Sequence, residues 1–327
     1  MSQLFLDANI LLDFYRYGDD DISEIGKLET LVKDGDIILH TNSHLIDEVG
    51  RNRENVLASS LAELRSAKYT LRTPNYCANI PELAAVNESL KAANKAHAAL
   101  IAAVEKTVAA RELPADKLLA SLFGVSTKKD VTEEILEAAQ RRVALGNPPG
   151  KRGSIGDAIH WECLLQIFHG YDLSIVSRDD DFASELYGNK IKSFLGDEWK
   201  QAHSSLQSDI RLFRSLGDFF RDKYPKIQLS DEVKKNDLIA QLSISPNFVT
   251  THSVISDLSQ FDYYTNGQVA RLFEALVENS QVYWIAKDDD INAFFRSLKD
   301  RAYSVPTELH EASVAILGVD PNFFDPF

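Results

Sequence analysis

The 327-residue chain is 44% apolar and 26% charged, and it carries a net charge of −14. That length supports a sizeable core in one large domain or two smaller ones, while the acidic balance speaks against a sequence-independent coat on DNA, which needs Lys and Arg to neutralise phosphates. No run approaches the roughly 18 uninterrupted apolar residues of a membrane span, no signal-peptide order opens the chain, and Cys77 and Cys163 lack metal-ligand spacing, so a cytoplasmic protein without a membrane partner or a disulfide framework is expected.

In chain order, "LFLD" at 4–7 reads as a short buried strand ending at Asp7, with Asn9 as the helix cap before Ile10, Leu11, Phe14 and Tyr17. A helical pattern through Ile22, Ile25, Leu28, Leu31 and Val32 leads to a second strand, "DIILH" at 36–40, and then to a long helix from Ser43 to about Leu71. From Pro81 to about Leu145 the composition shifts to Ala, Leu, Glu and Lys and predicts a helical insertion, broken near Pro114 and Gly124. A Gly- and Pro-rich loop at 146–157 precedes a helix with Ile159, Cys163 and Ile167 on one stripe. The strand "DLSIVS" at 172–177 runs directly into "RDDDF". Residues 182–224 predict a helix, a short strand at "KIKSFL" and a long helix from about Asp197 to Tyr224. Beyond Pro225 the pattern suggests a separate unit with helices at about Gly267 to Val277 and Asp290 to Leu298. Its apolar run "VYWIA" at 282–286 begins an echo of "SIVSRDDDF"; with no counterpart of "LFLDAN" nearby, it reads as a strand followed by an acidic helix start.

Alternating strands and helices predict an α/β fold, a parallel or mostly parallel sheet flanked by helices, in a domain spanning residues 1–224 with the insertion at about 81–145. A small, mostly helical C-terminal domain covers 225–327. In an open α/β sheet the functional crevice lies beyond the carboxyl ends of the strands. Asp7 and Asp179 each fall just past an apolar strand, Asp157 opens a helix after Gly156, and Glu48 lies on the first turns of the helix after the second strand. Four carboxylates gathered there repel one another unless positive charge sits between them. A hard cation supplies it, and oxygen ligands select Mg²⁺ or Mn²⁺. Each acid also has a structural reading: Asp7 and Asp157 as helix caps, and Glu48, Asp47 or Glu54 as members of a solvated helix face.

Taken together, "LFLDANILLD" with Asp7 and Asn9, Glu48 in "HLIDEV", Asp157 in "GDAIHWECLL", and "IVSRDDDF" with Ser177, Asp179 and Asp181 resemble, in order, the four acidic motifs of the PIN domain nucleases over about residues 1–200. The insertion and the C-terminal unit depart from the small toxin members; the layout is similar to the larger bacterial PIN-like proteins. The resemblance implies metal-dependent hydrolysis of phosphodiester bonds by an endonuclease, most often of single-stranded RNA. It makes Asp7, Glu48, Asp157 and Asp179 the catalytic acids and, with Asp181, the metal ligands for Mg²⁺ or Mn²⁺. Asn9 and Ser177 would orient a ligand or a water. In two-metal sites one ion activates water and the other stabilises the leaving oxygen. RNA is the expected partner; a homo-oligomer, a protein partner, toxin-type growth inhibition and phage defence are left open.

Local positive charge offers a path for phosphates: Arg51 and Arg53 past Glu48, Lys151 and Arg152 in the loop before Asp157, and Arg178 beside Asp179. Lys128, Lys129, Arg141 and Arg142 read instead as a charged helical face. "GNPPGKR" is not a nucleotide-triphosphate loop, because it has three residues between its glycines and Arg152 where Ser or Thr is required. Asn9 stands where an aspartyl-phosphate phosphatase needs a second Asp, and His40 ends a strand, so His40 and His44 make no zinc pair. Two other classes compete with the RNA nuclease: a binding module with a degenerate acidic site, and a nuclease for DNA or flap structures.

Overall fold

In the computed structural model, residues 2–16, 22–150, 154–167, 172–204, 208–320 and 323–324 are described. The apolar runs of β1 (Ser2–Leu6), β2 (Ile37–Asn42) and β4 (Leu173–Val176) are buried on both faces, as the interior of a parallel sheet requires. β3 (Thr127–Lys129) and β5 (Ile210–Phe213) form the edges of a single five-stranded parallel sheet in the order β3-β2-β1-β4-β5. The chain winds outward from the central β1 through β2 to β3, then crosses back to β4 and β5. The reversal lies between β1 and β2 on one side and β4 on the other, a switch point of the kind that opens a crevice at the carboxyl ends of strands. Pairing of Phe5 with His40, Leu6 with Val176, and Val176 with Phe213 brings Asp7, Asn42, Ser177 and Arg214 to the same rim.

Helices α1 (Ala8–Asp13), α2 (Ile22–Lys33), α3 (Ser43–Ser66), α4 (Pro81–Ala110), α5 (Pro114–Val125), α6 (Glu133–Leu145), α7 (Gly156–Leu165), α8 (Ser193–Ala202) and α9 (Leu216–Lys223) surround the sheet. Leu4, Phe5, Leu39 and Ile175 pack with Leu28 and Leu31 of α2, Leu119 and Leu122 of α5, Trp199 of α8 and Phe219 of α9 in one core. The remaining helices are α10 (Leu229–Ser243), α11 (Phe248–Leu258), α12 (Asn266–Glu278), α13 (Ser280–Trp284), α14 (Asp289–Ser297) and α15 (Thr307–Leu317). They build a second core around Leu242, Ile255, Leu272, Phe273 and Phe295.

The two cores meet at the turn between α2 and β2. Asp36 is buried and accepts from the backbone N–H of Asn266 at 2.7 Å, from Arg301 at 2.5 Å and from Tyr263 at 3.2 Å, while Asp34 accepts from the Thr265 hydroxyl. Thr265 caps α12, so two carboxylates sit at the positive end of that helix. The α2–β2 turn precedes β2, so this junction lies at the amino end of the sheet, a strand length away from the rim that carries Asp7.

Several expected elements differ. Asp7, not Asn9, caps α1: its carboxylate accepts the Ala8 N–H, and its own backbone is extended. "KIKSFL" is no strand; it contributes one bridge, Ile191 to Ala183, and then the start of α8. The single long helix from Asp197 to Tyr224 is two helices with β5 between them. "VYWIA" belongs to α13 and the turn after it, with Val282 buried and Trp284 exposed. The insertion is not purely helical, since its β3 joins the sheet beside β2. Arg142 is not a surface cation of a helical face: it is buried and donates to Glu162 at 2.8 Å, Glu198 at 2.7 Å and the Pro148 carbonyl at 2.6 Å.

Candidate metal centre at the sheet rim

The rim is assembled from three strand ends and two helix starts. Asp7 leaves β1 and is almost wholly buried. One carboxylate oxygen accepts from the Ala8 N–H at 2.6 Å; the other accepts from the Asn9 amide at 2.9 Å and the Ser177 hydroxyl at 2.5 Å. Cap and site are therefore the same residue. Burial pushes its carboxyl above the usual range, and the hydrogen bond from Ser177 works against that rise. Ser177 also accepts the Asp179 N–H at 3.0 Å, and Asp179 accepts the Asp181 N–H at 3.1 Å. These bonds turn the segment after β4 tightly and stand Asp179 and Asp181 beside Asp157 at the rim.

Asp157, on the first turn of α7, completes the cluster. Asp157, Asp179 and Asp181 each present a carboxylate oxygen, and the three atoms lie within 4.8 Å of one another. Burial, and then the neighbouring charges of Asp7, Asp179, Asp181 and Glu48, push the Asp157 carboxyl up to about 8. The cluster brings like charges together. Its all-oxygen donor set, with one member driven toward protonation, fits a hard divalent cation.

The loop that carries Asp179 is braced from β5. The Arg214 guanidinium donates to the backbone carbonyls of Asp179 at 3.0 Å and Arg178 at 2.9 Å and to the Asp180 carboxylate at 2.7 Å. Arg214 has no distinctive sequence signal; it becomes legible only once β5 is seen beside β4.

Glu48 stands on the other side of the rim, grouped with two histidines. His160 of α7, fully buried, has Nε2 3.1 Å from a Glu48 oxygen and Nδ1 3.1 Å from the Asn42 amide nitrogen. The His160 hydrogen bond holds the Glu48 carboxyl below its ordinary value. His44 lies 4.0 Å from Glu48, its ring centroid 5.3 Å from that of His160, and burial lowers its basicity. Gly156 lies close against this pair: a Cβ there would sit 3.3 Å from His44 Nε2, a tight contact, and 3.7 Å from Glu48. His160, His44 and Asn42 are absent from the sequence-derived set. His160 lies three residues after Asp157, but its partner Glu48 is 112 positions away, so no local spacing reveals the pair.

The basic residues divide. Arg51 is exposed and close enough to act electrostatically on Glu48. Arg53 is turned away from the phosphate path: it grips Asp116 of α5 through two hydrogen bonds, at 2.7 and 2.8 Å, and donates to the Val108 carbonyl at 3.1 Å. Arg178 reaches Asp13 of α1 at 2.5 Å. Lys151 and Arg152 lie outside the described residues.

No curated protein and no solved structure matches the chain. Residues 4–182, more than half of the chain and the stretch that contains Asp7, Glu48, Asp157 and the Asp179–Asp181 loop, match the PIN domain family. With that match and a parallel sheet whose switch point gathers the acids, the chain belongs to the PIN domain family.

Proposed function

We propose that this PIN domain protein is a divalent-metal-dependent endonuclease that hydrolyses phosphodiester bonds of single-stranded RNA. One observation carries the reading: Asp157, Asp179 and Asp181 present oxygens within 4.8 Å of one another at the switch point of the sheet, in electrostatic reach of Asp7 and Glu48. Asp157, Asp179 and Asp181 would hold Mg²⁺ or Mn²⁺, with Asp7 and Glu48 completing the negative field. Bound there, the metal supplies a Lewis acid and lowers the pKa of water.

The chain's own residues prepare that chemistry. Ser177 and Asn9 hold Asp7 as a hydrogen-bond acceptor at one orientation, and Arg214 fixes the backbone of the loop that aims Asp179. Arg51, exposed beside Glu48, is placed to draw a phosphate toward the acids. Arg178 borders the same mouth while paired with Asp13, and would exchange that partner for a phosphate. Residues 1–224 would form the nuclease domain. The C-terminal domain, 225–327, docks at the amino end of the sheet and leaves the mouth to the substrate.

The test is cleavage of a mixed single-stranded RNA pool with Mn²⁺, with Mg²⁺ and with EDTA, alongside single-stranded and flapped DNA. RNA cutting that needs metal and falls at least a hundredfold, on the order expected when charge stabilisation at the reacting centre is lost, in both Asp7→Asn and Asp157→Asn supports the reading. A protein that binds neither metal and cuts no nucleic acid would instead be a binding module.

A further inference from the structure

A chain of hydrogen bonds whose direction is set by a backbone amide runs through the buried wall behind Glu48. The Leu45 N–H, at the start of α3, donates to Asn42 Oδ1 at 2.8 Å. An N–H can only donate, so the amide oxygen must face it, and the Asn42 nitrogen is thereby turned to the other side. That nitrogen lies 3.1 Å from His160 Nδ1. An amide nitrogen also only donates, so Nδ1 must accept, and the proton of the neutral ring is on Nε2. Nε2 in turn is 3.1 Å from Glu48 Oε2, where an N–H meets a carboxylate. The opposite tautomer would set two N–H groups against each other at Asn42 and two lone pairs against each other at Glu48, in a place where Asn42 and His160 are closed to water.

Resting on the reading of the rim as a nuclease site, we propose that His160 is a positioning residue: Asn42 locks it as the Nε2–H tautomer, and that N–H donates a hydrogen bond to Glu48, fixing the orientation of a partly exposed carboxylate beside the metal-binding acids. The ring itself packs against Phe5 and His44, with centroids 5.5 and 5.3 Å away, and is held by a partner at each nitrogen. The same locking argues against His160 as a metal ligand, although it groups with His44 and Glu48, because the nitrogen that faces the rim carries a hydrogen and not a lone pair. The relay ties three elements that share no local sequence signal: the end of β2, the second turn of α3 and the first turns of α7.

Two measurements test this. In the metal-free full chain with ¹⁵N-labelled histidine, the His160 ring signals, identified by their loss in His160→Gln, should show an unprotonated Nδ1 and a protonated Nε2; a proton on Nδ1 overturns the proposal. For function, His160→Gln keeps an amide donor near the Nε2 position, whereas His160→Leu and Asn42→Leu remove the donor or its lock. Mn²⁺ affinity and the kcat for RNA cleavage should fall roughly tenfold to a hundredfold in both Leu variants, with KM little changed, as for the loss of an outer partner of a metal site. His160→Gln should retain both within a small factor. Equal losses in His160→Gln and His160→Leu would make the imidazole a ligand or a packing element and sink the idea. If no variant and not the wild type cuts RNA, the nuclease reading fails, while the tautomer and the Mn²⁺ affinities still decide the relay.

Discussion

Ser177 and Asp7 join the ends of β4 and β1 through a hydroxyl–carboxylate hydrogen bond of 2.5 Å, with both residues buried. The backbone ladder, with Asp7 N–H on the Val176 carbonyl at 3.0 Å, spaces the two strand ends, and the hydroxyl bond sets where the Asp7 carboxylate faces. Ser177→Ala removes the donor and leaves a buried carboxylate oxygen with only the Asn9 amide. We expect a loss of about 1–3 kcal/mol, read from the urea midpoint. The Asp7 carboxyl should also rise further, since the Ser177 hydrogen bond works against the upward push of burial.

Asp157 makes stability depend on pH and on metal. Its folded-state value, about 8, lies above its ordinary 3.8, so the folded chain holds this proton more tightly than the unfolded chain. The contribution is present in full below about pH 4 and is lost as pH rises through 8. Over that window it amounts to a few kcal/mol, on the order given by one pKa unit being ~1.4 kcal/mol. Denaturation of the EDTA-treated protein from pH 4 to 9 should therefore show a decline that Asp157→Asn flattens. Mn²⁺ should reverse the decline most at the alkaline end, because a cation displaces the proton. A wild type and an Asp157→Asn variant with parallel profiles would count against this account.

Arg53 should behave as a structural residue although it follows Glu48 closely in sequence. It joins α3 to α5 by its paired hydrogen bonds to Asp116, which also accepts from the Tyr15 hydroxyl at 2.7 Å. Arg53→Met leaves that largely covered carboxylate with the hydroxyl alone among its side-chain donors and should cost about 1–3 kcal/mol in thermal or urea unfolding. The KM for RNA should stay near wild type in the folded fraction. Arg51→Ala should do the reverse, raising KM with little effect on stability.

The junction between the two cores can be probed at Gly267. A Cβ there would fall 2.5 Å from Asp34 Oδ1 and 2.7 Å from its Cγ, an overlap that forces Asp34 off Thr265. Gly267→Ala should destabilise by about 1–3 kcal/mol. In an Asp34→Ala background the same change should cost less, because of the three crowded atoms only the Cβ of residue 34, 3.0 Å away, remains, and the double-mutant cycle measures the coupling directly. Cleavage per folded molecule should not move in any of the three.

The strand ends that carry acids are legible from sequence because an uninterrupted apolar run followed at once by Asp is a strong local pattern: β1 with Asp7 and β4 with Asp179 both show it. β5 was hidden for a physical reason. It is four residues long, its Arg211 faces solvent between buried Ile210 and Leu212, and helical sequence on both sides dilutes so short an alternation. "VYWIA" has the aromatic and β-branched composition of a strand, but packing decided: only Val282 of α13 is buried, and the turn that follows ends in buried Ile285 and Ala286. His160 and Arg142 sit on helices as ordinary polar positions, and their partners come from chain segments far away. Residues of that kind become visible only when the fold brings those partners close.

The docking of the C-terminal helices at Asp34 and Asp36 means that the sheet acts as a spacer. β1 and β2, five and six residues long, separate that junction from the acids by about 16–20 Å. A change made at that junction therefore has the length of two paired strands between it and Asp157, Asp179 and Asp181.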